Sequence, residues 1–186
     1  MAYDLSLLDY GYEVIEDRRF LMTPGNAWHG ESMAAIAALL GGHFKGTGHK
    51  VYSDAIIKFG EGRLSPDISV VNKPEVDDRG ILITMPDLAV EILSNSTRIR
   101  DKGVKKDVYA AHGVKEYWIV DYKVKSIEVY VLKNNDLKLH SIHTILDSDF
   151  EVEEYVMRHG SYSTRFNSPL FPELEVELTE VFDAEV

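Results

Sequence analysis

The chain has 186 residues, 45% of them hydrophobic and 10% aromatic, with no cysteine and a formal net charge of −11. That length suits a single domain over 1–186 with a full core, and the lack of cysteine excludes disulfides, thiolate chemistry and cysteine zinc sites. No run approaches the roughly 18 to 20 apolar residues that span a membrane, and Met1-Ala2-Tyr3-Asp4 lacks the basic and apolar stretches of a signal peptide, so a cytoplasmic protein is expected.

Residues 10–23 predict an opening hairpin or an extended entry, ended by the breaker Pro24-Gly25-Asn26. A helix follows from Ala27 to about Leu40, with Met33, Ile36, Ala37 and Leu40 at helical spacing, Asn26 as N-cap and Gly41-Gly42 as the stop. Val51 to Phe59 is expected as a strand, set apart by Gly60-Glu61-Gly62 from a second strand that opens at Ser65-Pro66-Asp67. Asp77-Asp78-Arg79-Gly80 is a polar turn, and Leu88-Ala89-Val90-Glu91-Ile92-Leu93 then makes a strand buried on both faces. From about Thr97 to His112 the pattern is helical, with Gly113 past its end. Glu116–Asp121 and Ser126–Leu132 are two further strands. Residues 137–157 lean toward β structure, and Ser168-Pro169-Leu170-Phe171-Pro172 introduces a short ending with apolar positions at Leu174, Val176 and Leu178.

The charge is unevenly spread. Residues 147–186 hold 11 acids against Arg158 and Arg165, so the part from about 147 is strongly acidic while the first 146 residues carry only −2 of the total −11. Directly after the Glu91 strand, Arg98, Arg100, Lys102, Lys105 and Lys106 stand against the single acid Asp101. Such a patch is either a solvated helix face or a surface for phosphate.

Glu91 is the position that calls for chemistry, because an ionised group in a buried strand is costly unless paired, hydrogen-bonded or metal-bound. Side chains opposite each other on paired strands lie roughly 5 Å apart, the span over which two carboxylates share one Mg²⁺ with waters in the remaining positions. Asp67 and Glu91 meet that requirement if their strands pair. Asp87 lies four residues before Glu91 on the same strand and reads as a turn residue after Pro86.

The stretch Ser65-Pro66-Asp67, Glu91-Ile92-Leu93-Ser94, Ser96-Thr97-Arg98, Asp101, Lys105, Tyr109, Gly113-Val114 and Glu116-Tyr117-Trp118-Ile119-Val120-Asp121 resembles the Uma-two-type restriction endonuclease family of the PD-(D/E)xK nuclease-like superfamily. The resemblance extends weakly to Tyr12-Glu13, His29 and Phe171-Pro172-Glu173-Leu174. It implies an α/β, restriction-endonuclease-like mixed β-sheet flanked by helices. It also implies Asp67 and Glu91 as metal ligands, with the carbonyl of Ile92 as a third. The superfamily's lysine follows the second acid by two residues, but here that position is Leu93. Lys105 matches the family's lysine position and recurs with Asp101 and Tyr109 at i, i+4 and i+8, so it is the candidate third catalytic residue; its bland alternative is a surface ion pair with Asp101.

The implied function is a Mg²⁺-dependent endonuclease, with Mn²⁺ as a substitute, cutting DNA as a homodimer. Its rival is a nuclease fold without turnover that binds nucleic acid or regulates, favoured by Leu93 and the charge of −11. A third possibility is an oligomeric structural module in which Glu91 simply pairs with Lys105. Glu31 is expected as an exposed helix residue and only secondarily as an extra acid; His29 as packing or capping; His140 and His143 face opposite sides of a strand and form no metal pair. Tyr109, Tyr117 and Trp118 are expected in the core, although aromatic faces can stack on bases.

Overall fold

The computed structural model describes residues 11–22, 24–94 and 96–182. Tyr12–Ile15 (β1) and Arg18–Leu21 (β2) form the expected antiparallel hairpin. Its connection, Glu16-Asp17, takes positive φ at both residues, the twist that suits a two-residue hairpin. Glu13 and Ile15 share its buried face. The helix Ala27–His43 (α1) starts where the Asn26 side chain accepts a hydrogen bond from the His29 N–H at 3.0 Å. Gly41-Gly42 does not stop it. Leu40 and Phe44 are both buried under the sheet, and that packing outweighs the poor helix propensity of the glycine pair.

The single strand expected over 51–59 is two strands. Asp54, at φ 51°, bends the chain, so His49–Ser53 (β3) joins one sheet while Ile57–Phe59 (β4) and Gly62–Leu64 (β5) join another. Ile68–Asn72 (β6) and Leu88–Ile92 (β7) follow. Next comes a helix over 98–111 (α2) with a π-helical central turn, Asp101–Lys105. Gly113, at φ 80°, ends that segment in the left-handed conformation that glycine adopts without strain. Glu116–Asp121 (β8), Ser126–Lys133 (β9) and Asp136–Thr144 (β10) complete the large sheet.

Its order is β10-β9-β8-β7-β6-β3. β7 and β8 run parallel, with α2 between them, and the other neighbours are antiparallel. The small sheet runs β2-β1-β5-β4. Alternation along β7 separates two cores. Leu88, Val90 and Ile92 pack with Ile36 and Leu40 of α1, whereas Ala89 and the following Leu93 pack with Tyr109 of α2 and with Ile15 and Leu64 of the small sheet. Glu91 therefore points to the α2 side.

The stretch 149–157, expected to lean toward β structure, is helical: Asp149–His159 (α3). Ser148 accepts from the Glu151 N–H at 3.3 Å while the Glu151 carboxylate accepts from the Asp147 N–H at 3.0 Å, a reciprocal cap that starts a helix despite the β-prone residues within. Arg165–Asn167 (β11) and Glu175–Glu177 (β12) make a small antiparallel pair, followed by Leu178–Phe182 (α4). Leu174, Val176, Leu178 and Val181 all enter the α1-side core.

Arg165 and Glu177 pair across β11 and β12. Burial alone would push the Glu177 carboxyl up, but hydrogen bonds led by that from Arg165, with Thr164 and Thr179, outweigh it and hold the group at about 2. A carboxyl depressed in the folded state contributes stability that is present above its unfolded pKa and lost as pH falls through the folded one. Glu177→Gln is expected to melt below the parent at pH 7, with the difference closing as pH falls from about 4.5 toward 2, as thermal melts across that range will show.

Candidate active site

β6 pairs with β7 as Ile68↔Val90, Ser69↔Ala89 and Val70↔Leu88. Continued by one residue, this register sets Asp67 opposite Glu91, with both side chains on the same side of the sheet. Both line a cleft of about 440 Å³ to which β1, α1 and α2 also contribute. Ile92 lines it too, and its N–H donates to Asp67 Oδ2 at 2.5 Å. The other Asp67 oxygen, Oδ1, lies 3.3 Å from His29 Nε2.

Lys105 reaches the same place from α2. Its Nζ lies 2.6 Å from Glu91 Oε1, 3.0 Å from Glu13 Oε1 and 3.4 Å from Asp101 Oδ1, with only 3% of its side chain exposed. Tyr109, one turn on, donates from its hydroxyl to the same Glu91 Oε1 at 2.7 Å. The turn that carries Lys105 is not a regular α-helix: it is wound wide, and Gly103 departs to φ −115°, ψ −110°. Kinks of this kind have a local cause, here the glycine, and π turns concentrate at functional sites. Tyr117 donates to the Asp101 carbonyl at 3.0 Å and holds the widened turn against the sheet.

The remaining basic residues after β7 do not form one surface. Arg98 pairs with Asp121 at 2.6 Å, Lys102 with Glu128 at 2.6 Å, and Lys106 lies over the Tyr130 ring. Arg100 turns inward, 3.5 Å from Glu13 Oε2. The Asp101–Lys105 contact exists, but it is buried rather than on the helix surface.

The electrostatics follow from this packing. Burial draws the Lys105 pKa down, but Glu91, Glu13 and Asp101 together outweigh it and hold the ammonium above the usual lysine value. Burial pushes the Glu91 carboxyl well up; Lys105 opposes this, and Asp101, Asp67 and Glu13 add to it. Asp101 is raised chiefly by burial. Asp54, also in the cleft, is raised by burial and then by Asp67. His29 is raised by its hydrogen bond to Asp67, with burial working against it.

Four cleft residues were missed by sequence reasoning as site residues: Glu13, His29, Asp54 and Arg100. Glu13 left a signal in the pattern, since it shares the buried face of β1 with Ile15 and so repeats the pattern that marks Glu91; Glu13 and His29 stand at positions the family resemblance touches, and Arg100 belongs to the basic patch after β7. Glu31 is exposed and lies outside the cleft. Asp87 is bound structurally by Lys115 at 2.7 Å and His49 at 3.4 Å. Tyr109, Tyr117 and Trp118 are fully buried. Leu93, two residues after Glu91, is 2% exposed within the α2-side core.

Among the described residues no group of three or more histidine and acidic side chains gathers on one point. The donors that could hold a cation are thus two carboxylates, Asp67 and Glu91, with the Ile92 carbonyl. Both contacts to Glu91 fall on Oε1, and the donor set is all oxygen, which suits a hard ion that keeps several of its waters.

A mixed sheet flanked by helices, with such a cleft at the end of its central strands, is a nuclease-like α/β fold. Among solved structures the chain is similar to the crystal structure of a "putative nuclease belonging to DUF820" from Anabaena variabilis, at 17% identity over 92% of this chain and 89% of that chain, with a TM-score of 0.68. The family model of Uma2, described as "Putative restriction endonuclease", matches residues 3–154. The chain belongs to the Uma2 family. A search of curated proteins finds no match.

Removing one partner from a buried ion cluster leaves the others uncompensated, at a cost of about 3 to 5 kcal/mol. Lys105→Met is expected to lose stability on that scale at pH 7 in urea unfolding. The loss should shrink at pH 5, where the raised Glu91 and Asp101 carboxyls more readily take up a proton, and should be partly recovered in the Lys105→Met/Glu91→Gln double variant.

Proposed function

We propose that this protein is a Mg²⁺-dependent endonuclease that hydrolyses phosphodiester bonds of DNA. The observation that carries the reading is the placement of the Lys105 ammonium against Glu91, across from Asp67, in one cleft. A lysine delivered from α2 takes the place that Leu93 leaves apolar.

In this reading Asp67, Glu91 and the Ile92 carbonyl hold Mg²⁺ or Mn²⁺. The bound ion supplies Lewis-acid charge at the scissile phosphate. Asp67 is oriented by the Ile92 N–H and by His29, and Glu91 by Tyr109 and Lys105, so both carboxylates are set before substrate arrives. Lys105 keeps its proton on Nζ and presents positive charge where negative charge develops on the phosphate. Arg100 and His29, both lining the cleft, offer further donors to phosphate oxygens. Among the described residues the acidic part from about 147 supplies none to the cleft, which weakens the objection that a charge of −11 raises against DNA. Cutting both strands of a duplex would take two such clefts, one from each of two copies. No helix among the described residues is long and apolar enough to cross a membrane.

Leu93 favours one other reading, a nuclease fold that binds nucleic acid without turnover. Incubation of supercoiled DNA with Mg²⁺ separates the two. The parent is expected to nick it, and Asp67→Asn and Glu91→Gln to nick it about 100-fold more slowly or worse. Equal nicking by all three proteins removes the assignment, and calorimetric DNA binding with no Mg²⁺ uptake establishes the alternative.

A further inference from the structure

A second cavity, of about 640 Å³, lies on the other side of the first turns of α1. Trp28 and Tyr122 line it, their rings 6.4 Å apart and 28° from parallel. The Trp28 indole is 65% exposed, although it sits at the start of a helix whose other large residues pack inward. Lys123 and Lys125, from the turn between β8 and β9, stand at the same cavity. The Lys125 ammonium's contact with Asp147, at 3.3 Å, is an exposed one.

The two cavities share a wall. Asn26 lines the catalytic cleft, and its Nδ2 donates to the Tyr122 hydroxyl at 3.0 Å, at the edge of the second cavity. His29, beside Asp67, and Trp28 are consecutive residues that face the two cavities in turn. A strand whose phosphate lies by Asp67 and His29 therefore has an exposed indole within reach of the adjoining nucleotide.

We infer that the second cavity receives one unpaired nucleobase of the strand held in the cleft, stacked on Trp28 beside Tyr122, with its backbone phosphate near Lys123 and Lys125. The inference rests on the nucleic-acid reading of the cleft and narrows it to a substrate class: DNA with an unstacked base next to the position cut, as in a single strand, a flap or a mismatch. Every base has a π face, so an aromatic platform accepts the base without requiring its identity. Glu31 and Glu180, at the cavity, are hydrogen-bond acceptors suited to an N–H donor of that base, whether an exocyclic amino group or the N3–H of thymine. A fully paired duplex cannot offer a base to this cavity without unstacking it.

The test measures binding alone, so it stands apart from the nicking assay. Asp67→Asn protein in Mg²⁺ is titrated against fluorescently labelled oligo-dT and against a fully paired duplex of the same length, with and without Trp28→Ala. Trp28→Ala is expected to weaken oligo-dT binding roughly 5- to 150-fold, the effect of one base lost from an aromatic ring, while duplex affinity changes less than about twofold. Trp28→Phe should recover most of the loss. Trp118 is fully buried, so quenching of indole fluorescence by oligo-dT in the protein with Trp28 intact reports the stack directly. Unchanged oligo-dT affinity in Trp28→Ala, equal losses for both DNAs, or no oligo-dT binding with Trp28 intact overturns the inference. A protein that fails to nick any DNA yet shows the selective loss would retain this site and lose only the nuclease assignment.

Discussion

One ammonium group, Lys105 Nζ, is shared by the carboxylates of Glu91, Glu13 and Asp101, in a pocket that water barely reaches. Each acid comes from a different element: the central strand β7, the small-sheet strand β1 and the π turn of α2 itself. Burying any of these charges alone would cost several kcal/mol, so none of the three elements can take its position without the other two. The cluster thus fixes where the small sheet sits against the large one, and with it the width of the cleft that Asp67 faces. The same arrangement that satisfies buried charge also aims a cation at the carboxylate pair.

The central part of this arrangement was legible in the sequence. Asp67 and Glu91 could be paired because strand register follows from buried runs, and a carboxylate inside such a run has few inexpensive explanations. Lys105 could be placed because helical spacing aligns it with Asp101 and Tyr109, and that alignment survives the wide turn. What could not be read was the contribution of distant segments. Glu13 reaches the site through the small sheet, where β1 meets β5 at a single register pair, Val14↔Arg63, so the pattern marks it as buried without showing which distant residues it meets. His29 enters because Asn26 sets the exact start of α1, a one-residue matter of capping. The break at Asp54 and the helix over Asp149–His159 were missed for similar reasons: one depends on a positive φ and the other on a reciprocal cap, and both override the intrinsic preference of the residues around them.

Glu116 shows how far the signature of a buried acid carries. It too stands in a run of wholly buried strand residues, at the start of β8, and burial likewise raises its pKa. Its oxygens are taken up by Trp118 Nε1 at 2.5 Å, Ser168 Oγ at 2.9 Å and the Leu170 N–H at 2.7 Å, all on the α1 side and away from the cleft. Its partners are neutral donors that anchor the segment after β11 to the sheet. Glu91 instead faces a cation and an open cleft. The strand pattern therefore does not tell these two buried acids apart; the partner and the outlet do.

The hydrogen bond from the Ser65 N–H to Glu13, at 3.1 Å, ties the same carboxylate to the segment just before Asp67. Glu13 thereby belongs at once to the N-terminal hairpin, to the approach to β6 and to the cluster around Lys105. Fraying of that hairpin cannot proceed as an isolated local event, because it exposes an acid that the interior requires. Amide protection in β1 and rigidity of the cleft should consequently rise and fall together as one cooperative unit, and the first strand behaves as a latch for the centre of the molecule rather than as a loose margin.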